Sequence, residues 1–167
     1  MENSSRNRLL DAAIDLLGET GSAGLTLRTV EVAAGVPHGT VRHHFGSRAA
    51  MVAALFDHLA EREQESVRGA TVAGALEHWL GPGRTLTLAR YELFLLAARD
   101  PALRPALVRA RDRFIAGAAE LVGAAAAPTL VAAVDGVILD ALVRGEHDPA
   151  QLRAAMEQLL GPKPDRG

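Results

Sequence analysis

The apolar residues of this chain recur at intervals of three and four over most of its length, which places them on single faces of successive helices. The first such face consists of Leu9, Leu10, Ala13, Ile14 and Leu17. Glycine and proline separate the segments, most strongly at Gly81-Pro82-Gly83. Because 49% of the residues are hydrophobic and only 4% are aromatic, the composition also favours close-packed helices over sheets. We therefore predict an all-α protein.

Two short helices with a glycine between them are predicted near the amino terminus. Thr26 can cap the first of the pair, which extends to about Ala34. Gly35 permits the left-handed backbone that a sharp change of direction requires, and Pro37 is placed to open the second helix, which Gly46 ends. Because longer helices flank the pair on both sides, it has the outline of a helix-turn-helix unit.

The remaining helices are predicted from their apolar faces and start signals. The helix that follows the pair has an apolar face and a polar far end at residues 61–65. Another helix is expected over 72–80, and the one over 85–98 is apolar on all sides, which is typical of a buried helix. Three later helices are expected to begin at proline, at Asp100-Pro101, at Pro128 and at Asp148-Pro149.

Composition excludes several classes of site. The chain has no cysteine, which excludes disulfides, thiolate nucleophiles and Cys-ligated metals. No apolar run reaches the roughly 18 residues of a membrane span, and the first residues lack the apolar core of a signal peptide. We see no Ser/His/Asp set, phosphate loop or pair of carboxylates arranged for catalysis. We therefore expect a cytoplasmic protein with no membrane anchor, no enzymatic activity and no cofactor.

One segment carries a recognisable signature. It begins with Leu-Thr-Leu-Arg at residues 25–28 and continues over 34–48 as AGVPHGTVRHHFGSR. This sequence resembles the amino-terminal signature of TetR-family transcriptional regulators, and the resemblance extends over residues 5 to 56. It implies an all-α fold with an amino-terminal helix-turn-helix three-helix unit at 1–47. A carboxy-terminal helical bundle for ligand binding and dimerisation is implied at 48–167.

Within this signature, the helix after the turn corresponds to the recognition helix, which enters the major groove of DNA. Such a helix needs small residues at its start, supplied by Gly39 and Thr40, and polar residues on its outer face. At about 100° per residue, Val41 and Phe45 face inward. We expect the groove to be faced by His38, Gly39, Arg42 and His43, and flanking phosphates to be reached by Thr40, His44 and Arg48. The full set of candidate DNA contacts is Thr26, Arg28, His38, Gly39, Thr40, Arg42, His43, His44 and Arg48.

Local charge favours DNA binding although the whole chain does not. The formal net charge of the chain is −2, which by itself predicts no polyanionic partner. Residues 26–48 contain three arginines and one glutamate, a local charge of +2. The position of the positive charge, rather than its total, therefore indicates a DNA partner.

Several of these side chains could instead have no role in DNA binding. Arg28 and Arg48 could be solvated charges at helix ends, and the histidines could be ordinary exposed residues. A metal site formed by His38, His43 and His44 is a further alternative. Adjacent positions 43 and 44 diverge by about 100° on a helix, and no nearby carboxylate completes a ligand set. We therefore predict no metal site.

Two residues depart from the family's pattern. Family members usually carry tyrosine where Arg42 stands, and a guanidinium at that position can hold a phosphate or read guanine. They usually carry alanine where Glu31 stands, at a site that packs against the turn before the recognition helix. Glu31 therefore puts the docking geometry and the DNA affinity in question.

The alternative hypothesis is a helical ligand-binding or interaction protein of the same fold that has lost DNA binding.

The resemblance also implies partners for the second half of the chain. TetR-like proteins are homodimers whose last long helices pack against the partner and whose middle helices enclose a small-molecule pocket. The expected function is that of a homodimeric repressor, released by an unknown small-molecule effector from a palindromic or near-palindromic operator in double-stranded DNA. The predicted pocket residues are Trp79, Tyr91, Phe94 and Leu95. The predicted dimer interface consists of Leu107, Ala110, Phe114, Ala118, Val134, Val137 and Ile138. Either set could instead pack within the core of one subunit.

Overall fold

The computed structural model describes residues 2–145 and 148–160, and this part of the chain contains helices and turns but no strand. The α-helices are α1 (Glu2–Thr20), α2 (Leu27–Ala33), α3 (Thr40–Phe45), α4 (Arg48–Ser66), α5 (Val72–Leu80), α6 (Arg84–Arg99), α7 (Arg104–Val122), α8 (Ala127–Arg144) and α9 (Pro149–Leu160). Short 3₁₀ turns at Ser22–Gly24 and Pro101–Leu103 precede α2 and α7. The all-α prediction is confirmed.

The boundaries of α2 follow the predicted signals. The Thr26 hydroxyl accepts a hydrogen bond from the backbone N–H of Thr29 at 3.1 Å, and the Thr29 hydroxyl accepts one from the N–H of Thr26 at 2.9 Å. This reciprocal pair satisfies two N–H groups that have no partner inside the helix. After the helix, Gly35 adopts a φ of +63°, a left-handed conformation that redirects the chain toward α3.

The start of α3 differs from the prediction. Pro37 does not open the helix, which begins at Thr40. Gly39 has a φ of +90°, which cannot belong to a right-handed helix, so residues 37–39 form a turn before it. A similar shift occurs after Asp100, whose carboxylate accepts from the N–H of Ala102 at 2.9 Å as a cap. There the first turn is 3₁₀, and α7 begins at Arg104.

The first of two compact units contains residues 1–66 and 83–110. Within it α1 packs against α2, α4 and α6. Gly18 of α1 lies so close to α6 that a Cβ would overlap the backbone carbonyl oxygen of Thr85. The Glu92 carboxylate also accepts from the N–H of Ser22 at 3.0 Å. Packing therefore groups α4 and α6 with the helix-turn-helix, whereas the predicted boundary between residues 47 and 48 divides the chain by function.

Of the described residues, the second unit contains 67–82, 111–145 and 148–160. Its helix α5 packs against α8 and α9, and α8 also packs against α9. Arg111 of α7 donates to the carboxylate of Asp135 on α8 at 2.6 Å. Leu76 and Ile138 are fully buried in its core.

No single helix in the described residues is long and apolar enough to span a membrane. Pro101–Val122 and α8 together pass that test as a bent pair, by length and composition.

A buried ion pair links α4 and α6, and one of its two members was predicted to be solvated. Glu63, expected in a solvated polar end, is 1% exposed and pairs with Arg90 of α6 at 3.0 Å. Helix α6 is also not buried on all sides, because Leu95 is 50% exposed while Thr87 and Arg90 are buried. The neighbouring helices, rather than composition, decide which face of α6 is covered.

Candidate nucleic-acid interface

Helices α2 and α3 form the predicted pair around Gly35, and α3 lies against both α2 and α4. Val30 of α2 and Val41 of α3 are fully buried, so the two short helices share the core of the first unit. Burial of these side chains stabilises helices that would be too short to persist alone in water. The outer side of α3 is left exposed at Arg42 and His43.

Glu31 connects α2 to the start of α3. Its side chain is 5% exposed, and its Oε1 accepts from the N–H of Gly39 at 2.9 Å and from the N–H of Val41 at 3.0 Å. Its Oε2 lies 3.0 Å from Nδ1 of His38. The first N–H groups of a helix have no partner within it, and a carboxylate is a preferred acceptor for them. Glu31 therefore caps α3 from a neighbouring helix, while its effect on docking to DNA stays a prediction.

These contacts lower the pKa of the Glu31 carboxyl below its ordinary value near 4.5. The hydrogen bond from the N–H of Val41 is the largest cause. Burial acts in the opposite direction, and the hydrogen bonds from His38 and Gly39 reinforce the lowering. Glu31 is therefore ionised at neutral pH, and its charge is matched by three donors.

The predicted groove-facing residues lie together at the start and outer side of α3. The side chain of His38 is 82% exposed, and Gly39, Arg42 and His43 are also exposed. His44 is half-buried, and its ring meets the edge of Phe45 at a centroid distance of 6.4 Å. Arg28 is exposed on α2. The structure thus gathers the candidate contacts on the helix-turn-helix, while their binding to DNA stays a prediction.

Besides His38 and Gly39, which contact Glu31, three more of the candidate contacts have intramolecular hydrogen bonds. The Thr40 hydroxyl donates to the carbonyl oxygen of Pro37, so it must rotate before it can donate to a phosphate. Arg48 donates through Nε to the carbonyl oxygen of Leu25 at 3.0 Å, which ties α4 to the residue before the cap of α2. The Thr26 hydroxyl is the cap of α2. These three side chains therefore also hold the unit together.

Two residues at this surface could not be identified correctly from the sequence. Glu31 stood out there only as a disturbance, and its capping role depends on a turn whose path the sequence does not specify. Arg6 of α1 places its guanidinium 5.2 Å from the centroid of the Phe45 ring, a cation–π contact that links α1 to α3. Its distance of 39 positions from Phe45 in the sequence left no local signal.

The metal hypothesis receives no support from the described residues, which contain no group of three His, Asp or Glu side chains able to hold an ion. A carboxylate does lie beside His38, contrary to the expectation that none is near. Glu31 is not next to His38 in the sequence but reaches it across the turn. Its two oxygens are already engaged by donors of α3 and of the preceding turn.

The predicted pocket residues are divided between the two units. Trp79 is buried in the second, whereas Tyr91, Phe94 and Leu95 belong to α6 in the first. The rings of Tyr91 and Phe94 meet edge to face at 6.0 Å, and the Arg90 guanidinium lies 5.3 Å from the Tyr91 centroid. A separate polar cleft of about 500 Å³ in the first unit is lined by Arg6, Asn7, Ala53, Ala54, Asp57, His58, Glu61 and Arg109. The pocket stays a prediction.

The predicted dimer residues differ in exposure. Ile138 is fully buried and Ala110 is 7% exposed, so these two side chains fill the core and offer no free surface. The other five are half-buried, namely Leu107, Phe114, Ala118, Val134 and Val137. Large apolar side chains that are exposed on the same helices were not in the predicted set: Val108, Leu121, Leu139 and Val143. The interface itself stays a prediction.

Comparison with known sequence families identifies the family to which this chain belongs. Residues 9–55 match the family described as bacterial regulatory proteins, tetR family, and residues 69–162 match the one described as tetracyclin repressor-like, C-terminal domain. The chain belongs to the TetR family. Membership places it among regulatory proteins rather than enzymes.

Similarity to individual proteins agrees with this assignment. The chain is 31% identical over 126 residues to the HTH-type transcriptional regulator CymR of Pseudomonas putida, and the match covers 66% of this chain but only 61% of CymR. A TetR-family member from Streptomyces coelicolor is 32% identical and superposes with a TM-score of 0.81, covering 95% of this chain and 99% of that one. The multidrug binding protein EbrR, solved in complex with ethidium, is 32% identical with a TM-score of 0.79 and the same coverage.

Proposed function

We propose that the protein is a sequence-specific, DNA-binding transcriptional regulator. The observation that carries this proposal is the capped recognition helix, because α3 is held by Glu31 and Val41 on its inner side while Arg42 and His43 remain exposed. Phosphate contacts by arginine supply affinity, and polar side chains in the major groove supply specificity. The family relationship and the identity to CymR support the same role.

The finer proposal is a cytoplasmic homodimer that represses transcription. Helices α7 and α8 expose Leu121, Leu139 and Val143, apolar side chains that a partner subunit would cover. A dimer with two-fold symmetry presents two recognition helices about 34 Å apart, which matches successive major grooves of a palindromic operator. Repression is supported by the similarity of residues 69–162 to the tetracyclin repressor-like C-terminal domain.

We further propose a planar aromatic effector. EbrR was solved in complex with ethidium, and α6 of this chain carries an edge-to-face aromatic pair, Tyr91 and Phe94. Aromatic rings stack on one another and attract cations through their faces. The alternative, a protein of this fold that has lost DNA binding, was suggested by Glu31 alone, and the cap that Glu31 provides argues against it.

The test of DNA binding uses purified full-length protein and double-stranded fragments from around its own gene. Fluorescence anisotropy should show binding that an excess of unrelated DNA does not abolish, and Arg42→Ala should weaken it. The matched control is Arg8→Ala, which removes an exposed arginine from α1, outside the α2–α3 pair. Equal affinity for every fragment, or equal losses in the two variants, would favour the alternative protein without operator recognition.

The test of the effector uses ethidium as the probe. Ethidium should bind the free protein and release it from its operator. Coupling of about 1 to 3 kcal/mol corresponds to roughly a 5- to 150-fold loss of operator affinity. Tyr91→Ala should blunt this release without changing DNA binding in the absence of ethidium, and Tyr91→Phe should retain it. Normal release from the Tyr91→Ala variant would place the effector elsewhere.

A further inference from the structure

The contact between Glu31 and His38 determines which nitrogen of the His38 ring carries the proton. The Glu31 carboxylate is ionised at neutral pH and can only accept hydrogen bonds, so the proton in the contact belongs to Nδ1 of His38. A neutral imidazole has one N–H, so its Nε2 then carries a lone pair. The His38 side chain is 82% exposed, which leaves this nitrogen available to a ligand.

Glu31 itself is fixed more firmly than the residue it contacts. Its side chain is 5% exposed, and its other oxygen is held by the N–H groups of Gly39 and Val41. Gly39 directly follows His38, so one carboxylate fixes the backbone at the start of α3 and the ring beside it. Because the His38 ring is already held by Glu31, it would lose little conformational entropy when it binds a base.

We propose that Glu31 is a positioning residue for operator recognition, which holds His38 in the Nδ1–H form and makes its Nε2 a hydrogen-bond acceptor for a base. This inference rests on the proposed DNA-binding function. In the major groove, only the amino groups of adenine and cytosine donate hydrogen bonds. Phosphate oxygens, guanine N7 and O6 and thymine O4 accept them, so they do not match an acceptor. His38 therefore prefers a base that carries an amino group.

The decisive variant is Glu31→Gln. A glutamine can keep the cap through its carbonyl oxygen, while its amide group donates to Nδ1 of His38. The proton of His38 then moves to Nε2, which becomes a donor. We expect the preferred base at that position to change from adenine or cytosine to guanine or thymine, whereas a purely structural role for Glu31 would leave the preference unchanged.

The experiment selects binding sequences from a randomised double-stranded DNA library with full-length protein. The selection is made near pH 8.5, above the range in which histidine ordinarily changes its charge. The wild type should enrich an amino-bearing base at one position of each half-site by about fivefold or more. Fivefold is about the smallest discrimination that one good base contact provides. His38→Ala should lose that preference alone. Glu19→Gln, which removes the same charge from an exposed site on α1, should behave as the wild type.

A second readout does not depend on DNA. The nitrogen chemical shifts of His38 in the free protein report which ring nitrogen carries the proton, with Nδ1 expected in the wild type and Nε2 in Glu31→Gln. A proton on Nε2 in the wild type would overturn the inference even if operator binding is normal. A wild type that has the proton on Nδ1 but enriches no sequence would show instead that the proposed function is wrong. An unchanged base preference in Glu31→Gln would also overturn the positioning role.

Discussion

At the scale of single residues, the DNA-facing unit depends on side chains that serve two purposes. Glu31 replaces the small residue usual in this family, and it compensates for its burial by accepting from three donors. Arg48 donates to the carbonyl oxygen of Leu25 through Nε, and its other guanidinium donors are those expected to contact a phosphate. Charge near a DNA-binding surface is therefore interpretable only together with its hydrogen-bond partners.

The lowered pKa of Glu31 predicts how acid affects this unit. A carboxyl whose pKa is lower in the folded than in the unfolded state stabilises the fold above its ordinary pKa near 4.5. That stabilisation is lost as the pH falls through the lowered folded value. We expect Glu31→Gln to reduce the free energy of unfolding at about pH 7 and to matter progressively less below about pH 4. Urea unfolding of both proteins across this range measures the difference, and a constant difference would contradict the role of the charge.

At the scale of helices, two kinds of contact hold the first unit together: a close approach between the backbones of α1 and α6, and a buried ion pair between α4 and α6. Helix α1 approaches α6 at Gly18, where a Cβ would overlap both the carbonyl oxygen and the side chain of Thr85. Helix α4 meets α6 through Glu63 and Arg90, which are 1% and 6% exposed. Because α4 directly follows the recognition helix, these contacts connect α6 to the DNA-facing unit.

The close approach predicts that Gly18→Ala is destabilising. A Cβ at Gly18 meets the Thr85 carbonyl, which is backbone and cannot rotate away. We expect the free energy of unfolding to fall by about 1 to 3 kcal/mol, as in other overpacked cores. Gly117→Ala is the matched control, because that helical glycine faces open space and alanine favours a helix by up to about 1 kcal/mol. Equal stability changes in the two variants would show that α1 and α6 can separate at this point.

The buried ion pair predicts strong coupling between its members. Removing either Glu63 or Arg90 leaves the other charge buried, which costs about 3 to 5 kcal/mol. Replacing both by apolar residues, as in Glu63→Leu with Arg90→Met, should cost much less than the sum of the single changes. A double-mutant cycle of unfolding free energies measures this coupling. Additive losses would mean that the two charges are stabilised independently.

At the scale of the whole molecule, the proposed function requires two copies of the helix-turn-helix surface. A net charge of −2 gives no general attraction to DNA, so we expect DNA affinity to rest on the few arginines of the helix-turn-helix. Apolar side chains exposed on α7 and α8 are the proposed means of bringing two such surfaces together. Dimerisation and DNA affinity are therefore expected to change together.

Salt dependence tests this description of the surface. The logarithm of affinity falls with the logarithm of salt concentration by about 0.9 for each phosphate contact. If Arg42 holds a phosphate rather than reading guanine, Arg42 and Arg48 from two subunits provide four phosphate contacts, and we then expect a slope of about −4. Arg42→Ala should reduce its magnitude by about 2, whereas Arg28→Ala, at a proposed base reader, should mainly relax the preference for particular base pairs. A slope near zero in the wild type would mean that phosphates contribute little to binding.

The sequence by itself determined the order and most boundaries of the helices. Thr26, Gly35 and the proline starts act on neighbouring backbone, so their effect could be predicted without knowledge of the fold. The helix-turn-helix and its exposed polar side chains followed from the same local signals. The local prediction failed at two proline starts. The left-handed Gly39 set the start of α3 after Pro37, and a 3₁₀ turn preceded α7 after Asp100.

Only the tertiary structure decided which polar side chains are partners. Glu31 reaches Val41 ten residues away, and Glu63 reaches Arg90 across 27 residues. Hydrophobic periodicity assigns a residue to a face of its own helix, but it does not say which donor lies on the facing helix. Burial of a charge is favourable only when such a donor is present. For this reason the sequence presented Glu31 as a disturbance, and the packing of α2 against α3 made it the cap of the recognition helix.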